Sequence, residues 1–84
     1  MDTEKWMHKA KISIQEKGKI NEIFELRSLF PIVEWESLSK GDRIRFGKDF
    51  ANAVRDGKRF PNVSTAQRAK NNHAQYIKIK EMES

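Results

Sequence analysis

The chain of 84 residues contains no cysteine, which excludes disulfide bonds and thiolate metal sites. This absence fits a reducing compartment, and we therefore expect a cytoplasmic protein. No apolar run approaches the roughly 20 residues of a membrane-spanning helix. The N-terminal residues 1–10 also lack the apolar core of a signal peptide. We expect no association with a membrane.

Side chains suited to catalysis are scarce. His8 and His73 are the only histidines, and without cysteine they do not complete a common metal-ligand set. The four glycines are dispersed and form no phosphate-binding loop. A chain of this length also leaves little room for a small-molecule pocket. We predict a protein that is not an enzyme and that holds no cofactor and no metal.

Three carboxylates form a row at regular spacing. Asp42, Asp49 and Asp56 are seven residues apart and therefore share one face of a helix. Seven residues rise about 10 Å along a helix, which is too far for neighbouring carboxylates to share one ion. Ion pairing with Arg45 at i+3 and i−4 is the role that we predict for this row.

The charge is divided unevenly along the chain. Residues 1–39 carry a net charge of −1, residues 40–80 carry +8 and residues 81–84 carry −2, which together give the net +5. A positive field confined to one half of a small domain favours binding of a polyanion, because neutralised phosphates release counterions. A solvated basic face that only maintains solubility explains the charge equally well at this stage.

Two helices are predicted from end signals and apolar periodicity. The first begins at Asp2 or Thr3 and stops at Gly18, and the second spans residues 40–56 and ends at Gly57. The apolar face expected for the second helix consists of Ile44, Gly47, Phe50, Ala51 and Val54.

Strand signals flank these helices. Residues 23–26 predict a short strand, followed by a helical turn over 27–30 that ends before Pro31. Residues 60–80 predict an antiparallel hairpin that turns at 70–72, where asparagine tolerates positive φ. The return strand alternates between Gln75, Ile77 and Ile79 on one face and Ala74, Tyr76, Lys78 and Lys80 on the other.

The resulting fold class is α+β and winged-helix-like, with three helices followed by a C-terminal β-hairpin and a short strand near 23–26. We expect residues 1–80 to form one small domain and residues 81–84 to form a disordered tail. The expected core consists of Trp35, Leu38, Phe50 and Val54, together with Trp6 or Ile14.

Basic and amide side chains gather on one predicted face of the 40–56 helix. Asparagine and arginine on one helical face can hydrogen-bond adenine and guanine edges in a major groove. An ordinary exposed helix face explains the same residues about equally well. Further basic and amide residues surround the hairpin turn and the corner before it. The predicted nucleic-acid contacts are Arg45, Lys48, Asn52 and Arg55 on the helix, Lys58 and Arg59 at the corner, and Arg68, Lys70 and Asn72 on the hairpin.

A further pattern runs from the middle of the chain to the end of the second predicted helix. It comprises Leu29-Phe30, Glu34-Trp35, Leu38, Gly41-Asp42-Arg43, Gly47, Phe50, Val54 and Gly57. This stretch resembles a family of short, uncharacterised bacterial and bacteriophage proteins with a Trp-x-x-Leu-x-x-Gly-x-Arg-x-x-x-Gly-x-x-Phe pattern. The resemblance implies a bacterial or phage origin and assigns no activity.

We interpret the sequence as that of a small DNA-binding protein, such as a phage-encoded regulator. Helix 40–56 would enter the major groove of double-stranded DNA, and hairpin 67–75 would act as the wing. The alternative is a protein-interaction module, such as a phage protein that binds and inhibits a host factor through its basic face. RNA is a weaker third option, because Tyr76 is the only aromatic residue expected to be exposed on a strand. Homodimer formation stays open.

Overall fold

The computed structural model describes residues 2–66 and 74–81. Within these residues, three α-helices and one 3-10 turn pack around a three-stranded antiparallel sheet. The elements in chain order are α1 (Thr3–Lys17), β1 (Ile23–Phe24), the 3-10 turn (Leu26–Leu29), α2 (Ile32–Glu36), α3 (Lys40–Asp56), β2 (Val63–Ala66) and β3 (Gln75–Lys78). The strands lie in the order β1-β3-β2, so the last strand is the central one.

Both long helices begin and end where the sequence predicts. Asp2 caps α1, since its carboxylate accepts a hydrogen bond from the backbone N–H of Lys5 at 3.2 Å. Ser39 caps α3 in the same way, because its hydroxyl accepts from the backbone N–H of Asp42 at 3.1 Å. Gly57 ends α3 with φ 74°, a left-handed conformation that glycine adopts without strain.

The segment between the long helices differs from the prediction in one respect. The short strand and the helical turn are present, the latter as the 3-10 turn over Leu26–Leu29. A further helix, α2, follows Pro31, where the sequence predicts only apolar residues for the core. Proline at the N-cap position suits a helix start, because the fixed φ is compatible with it and the missing N–H is not needed there.

Strands β2 and β3 form the predicted antiparallel pair. Ser64 lies opposite Ile77, and Thr65 lies opposite Tyr76. On its other edge β3 pairs with β1, where Ile23 lies opposite Ile77. The predicted turn at 70–72 and residues 82–84 of the predicted tail lie outside the described residues.

Five of the twelve buried core residues in the described part of the chain are aromatic. Phe46, Phe50 and Phe60 are fully buried, and Phe50 lies 4.9 Å from both Phe60 and Tyr76, measured between ring centroids. Leu38, expected in the core, is only partly buried. The other core members are Met7, Ala10, Ile14, Leu26, Leu29, Phe30, Val54 and Val63, with Trp6, Phe24, Trp35 and Ala53 packed against them.

The predicted apolar face of α3 is wrong in its rotation. Phe46 is buried, whereas Ile44 leaves 53% of its surface exposed. At 100° per residue, the true buried face lies about 70° from the predicted one. The aromatic side chains decide the rotation, because a phenylalanine buries far more area than the glycine and alanine of the predicted face.

The buried face of β3 carries Tyr76 and Lys78, which are 2% and 0% exposed. The expectation of an exposed Tyr76 is therefore wrong. The Lys78 ammonium donates hydrogen bonds to the backbone carbonyls of Ile14 at 3.2 Å and Gly18 at 3.1 Å, and to the Glu81 carboxylate at 2.9 Å. It thereby ties the central strand to the C-terminal end of α1, where the Ile14 carbonyl also accepts a hydrogen bond from the backbone N–H of Gly18 at 3.0 Å.

We predict that Phe50→Ala lowers the free energy of unfolding by about 3–5 kcal/mol, because a fully buried ring is replaced by a cavity. Ile44→Ala on the exposed side of the same helix should change it by less than about 0.5 kcal/mol. Urea titration followed by circular dichroism measures both variants. Equal stability of the two would contradict the observed rotation of α3.

We also predict that Lys78→Met lowers the free energy of unfolding by about 1.5–3 kcal/mol, because charge-assisted hydrogen bonds to the end of α1 are lost. Lys80→Met, an exposed neighbour in the same segment, is the control and should leave the melting temperature unchanged. Thermal unfolding monitored at 222 nm makes the comparison. A melting temperature that does not fall in Lys78→Met would show that its ammonium does not stabilise the fold.

Candidate nucleic-acid interface

A cleft of about 840 Å³ runs along the exposed side of α3. We call it the α3 cleft. Helix α3 forms one wall, while the 3-10 turn, α2 and the start of β3 contribute the other residues. Its lining consists of Glu25, Leu26, Arg27, Trp35, Lys40, Arg43, Ile44, Gly47, Lys48, Ala51, Asn52, Arg55, Ala74 and Tyr76.

Three of the predicted contact residues meet in this cleft. Lys48, Asn52 and Arg55 are exposed and project from successive turns of α3, on the side away from buried Phe50. They share this side because residues three and four positions apart lie on one helical face. The cleft therefore contains two cations and one amide on a single rigid element.

The α3 cleft has a strong excess of positive charge. Its lining includes five Lys or Arg side chains and the single carboxylate of Glu25. Within residues 2–66 and 74–81, neither Lys48 nor Arg55 has a carboxylate within 4.0 Å. Arg27 is 3.8 Å from Glu25 across the cleft wall. Unpaired cations in one concave surface favour an anionic partner, since a concave surface concentrates the field.

Two cations at the N-terminal end of the cleft were not among the predicted contacts. Lys40 is exposed in the first turn of α3, and the Arg43 guanidinium donates to the backbone carbonyl of Glu36 at 3.1 Å. The Arg43 Nε is buried and meets no acceptor within the described part of the chain. Helical spacing gave no signal for Lys40, because it lies about 80° around the helix from Lys48, farther than Arg45, which does not line the cleft. Arg27 lies in the 3-10 turn and not on α3, so its place in the cleft could not be predicted from spacing along the helix.

Arg45 and Lys58 are exposed but do not line the cleft. The predicted pairing of Arg45 with the aspartate row is wrong, because neither Asp42 nor Asp49 lies within 4.0 Å of it in the structure. Ion pairs on helix surfaces contribute little to stability, so their absence at these positions has little cost.

Arg59 forms an ion pair with Glu4 at the protein surface, where the two side chains leave 38% and 75% of their area exposed. Its guanidinium forms two hydrogen bonds with the Glu4 carboxylate, at 2.9 and 2.5 Å, and thereby ties the start of α1 to the corner before β2. These hydrogen bonds and the positive charge of Arg59 lower the pKa of Glu4 below its ordinary value of 4.5. The same hydrogen bonds raise the pKa of Arg59. Arg68, Lys70 and Asn72, the predicted hairpin contacts, lie outside the described residues.

A strip of apolar residues lies beside the cations of the cleft. Ile44, Gly47 and Ala51 form this strip, which was predicted to face the core and instead lines the cleft. A Cβ placed on Gly47 would meet no atom within 4 Å. The floor of the cleft is thus open to close approach along the middle of α3.

Other kinds of site find no support in the described residues. Among residues 2–66 and 74–81, no three His, Cys, Asp or Glu side chains are placed to hold a metal ion. In the same residues, no helix has the combination of length and apolar character needed to cross a membrane.

The chain belongs to a family described as a domain of unknown function, DUF1413, whose model matches residues 8–78. This match agrees with the resemblance to an uncharacterised family. No curated protein and no solved structure matches the chain.

The Glu4–Arg59 pair gives a prediction for pH dependence. The pKa of Glu4 is lower in the folded state than in the unfolded state, where it is near 4.5. The ionised Glu4 carboxylate therefore stabilises the fold above about pH 4.5, and this contribution is lost as the pH falls through the pKa of Glu4 in the folded protein. Glu4→Gln should therefore melt below the wild type at about pH 7, and the gap should close at about pH 2. Glu16→Gln, exposed on the same helix, is the control. A gap that is equal at both pH values would show that the ionised pair contributes nothing.

Proposed function

We propose that the protein binds double-stranded DNA through the α3 cleft, with α3 in the major groove. The observation that carries this proposal is the convergence of Lys48, Asn52 and Arg55 on one exposed face of a single helix, with no ion pair at Lys48 or Arg55 within the described residues. Helix α3 has 17 residues, and the diameter of an α-helix with side chains, about 10–12 Å, fits a major groove about 12 Å wide.

The order of the elements supports a winged-helix interpretation. A helix and a short strand precede two helices, and a hairpin follows, with β3 between β1 and β2 in the sheet. In this proposal, hairpin 67–75 is the wing and brings Arg68, Lys70 and Asn72 to the phosphate backbone. Exposed Arg45 and Lys58 contact phosphates at the flanks. A regulator of bacterial or phage origin is consistent with the sequence resemblance.

The role of Arg59 is revised by its contacts. With its guanidinium held by Glu4, its first role is to fix the corner between α3 and β2. The corner sets the direction in which β2 leaves α3, and so it positions the proposed wing relative to the helix. Arg59 is therefore not among the DNA contacts that we propose.

A second candidate function is binding of an acidic, amphipathic segment of another protein. The apolar lining of the cleft favours it, because Trp35, Leu26 and Ile44 lie beside the cations. Such a segment would place apolar side chains on the floor and carboxylates against the basic rim. Duplex DNA remains our first proposal, since the exposed amide of Asn52 and the long basic helix suit base and phosphate contacts together.

Fluorescence anisotropy with a mixed-sequence duplex tests the proposal. If the five cations of the cleft each contact one phosphate, log K should fall against log salt with a slope of about −4.5. The double variant Lys48→Ala/Arg55→Ala should weaken binding to every sequence and reduce the slope to about −2.7.

A matched double variant removes the same charge elsewhere. Lys5→Ala/Lys17→Ala changes two exposed lysines of α1 outside the cleft, and it should retain most of the affinity and the full slope of the wild type. Absence of binding at low salt, with circular dichroism showing folded protein, would exclude the DNA proposal. Binding of a fluorescent acidic amphipathic peptide that the Lys48→Ala/Arg55→Ala variant loses would then support the second candidate.

A further inference from the structure

Helix α2 exposes two large apolar side chains next to each other. Ile32 and Val33 leave 74% and 81% of their surface exposed, while the other exposed large apolar residues in the described part of the chain range from 38% to 54%. No residue of α2 is buried. Isoleucine and valine are also modest helix formers, because their branched side chains lose freedom in a helix. Adjacent exposed apolar side chains without a role in the core indicate an interaction surface.

The same face of α2 carries a carboxylate. At 100° per residue, Ile32, Glu36 and Val33 lie within about 100° of the circumference of the helix, and we call these three residues the α2 face. Glu36 is exposed, and its carboxylate has no Lys or Arg partner within 4.0 Å among residues 2–66 and 74–81. Trp35, about 60° around α2 from Ile32, lines the α3 cleft. The α2 face is therefore apolar and acidic, and it adjoins the cleft.

The α2 face and the α3 cleft are complementary in their chemistry. The cleft places the apolar side chains of Leu26, Trp35 and Ile44 beside five Lys or Arg side chains. The α2 face places two apolar side chains beside a carboxylate. Apolar surface can thus meet apolar surface while the carboxylate meets cations, which is how an amphipathic helix docks in a groove. Every copy of the chain carries both surfaces.

We infer that the protein forms a two-fold symmetric dimer in which the α2 face of each protomer docks in the α3 cleft of the other. In a two-fold interface each contact occurs twice, so both surfaces of both protomers are covered. Ile32 and Val33 pack on the apolar lining of the opposite cleft, and Glu36 pairs with its cations. This inference goes beyond the proposed function, because the occupant of the cleft is a second copy of the chain. A dimer of this kind has no free cleft for another ligand.

Sedimentation velocity over a dilution series measures the dissociation constant of the dimer. The wild type should change from dimer to monomer on dilution, and added salt should favour the monomer because the charge contacts are screened. Ile32→Ser/Val33→Ser should raise the dissociation constant at least about hundredfold, since four apolar side chains leave the interface. Ile20→Ser/Ile79→Ser is the matched control, because these residues are 46% and 48% exposed outside both surfaces, and it should leave the constant unchanged.

Complementation between two defective variants tests how the surfaces pair. Lys48→Ala/Arg55→Ala loses cations of the cleft and keeps the α2 face, whereas Ile32→Ser/Val33→Ser keeps the cleft and loses the apolar part of the α2 face. Each variant alone should dimerise more weakly than the wild type. Their mixture should form a heterodimer more tightly than either variant forms a homodimer, because one of its two contacts is intact. A fluorescent label on one variant reports the heterodimer.

Circular dichroism should show both variants folded, because the replaced side chains are exposed. A wild type that sediments as a monomer at every concentration overturns the inference, as does a dimer that Ile32→Ser/Val33→Ser leaves intact. A mixture that associates no better than its components overturns the pairing of the α2 face with the cleft, because two α2 faces packed against each other give that result. Species that grow beyond a dimer overturn the two-fold symmetry. No measurement here contains DNA, so the result is independent of the anisotropy experiment.

Discussion

The buried ammonium of Lys78 holds the two ends of the fold together. It lies on the central strand, pairs with Glu81, and donates to carbonyl groups of Ile14 and Gly18 at the end of α1. A buried cation is unfavourable unless it is well hydrogen-bonded, so these partners are a condition for the packing of β3 against α1. Gly18 belongs to the same arrangement, because a side chain there would also lie 3.3 Å from the Lys78 Cδ.

From this fixed strand, the aromatic core sets the rotation of α3. Tyr76 on β3 meets Phe50 edge-on, and Phe46 packs against Trp6 and Phe30 nearer to α1. These contacts require one face of α3 to point inward. The opposite side, with the basic residues, is then presented to solvent, and the apolar strip of the cleft lies between those residues and the buried face. The shape of the candidate site is thus a consequence of how the core packs.

Local signals predicted the ends of the long helices and the pairing of the hairpin, because caps and alternation depend on neighbouring residues. They did not predict the rotation of α3, since apolar residues such as Ile44 and Phe46 occur on more than one side and only tertiary packing selects among them. The sequence also did not determine which face of β3 is buried. Alternation places Tyr76 and Lys78 on one face and Ile77 on the other, but it does not show that the face with the lysine points inward. In the cleft, Lys48, Asn52 and Arg55 were predicted from one helix, whereas Arg27 depends on the fold.

The rotation of α3 also determines the side from which a polyanion can approach. At 100° per residue, the aspartate row of Asp42, Asp49 and Asp56 lies more than a quarter of a turn from the strip that begins at Ile44. None of these carboxylates lines the cleft, where five cations face the single carboxylate of Glu25. An anion that approaches along the cleft meets attraction, and one that approaches along the aspartate row meets repulsion. Helix α3 therefore has one face compatible with phosphates, and this asymmetry fixes the orientation in which the proposed duplex must lie against it.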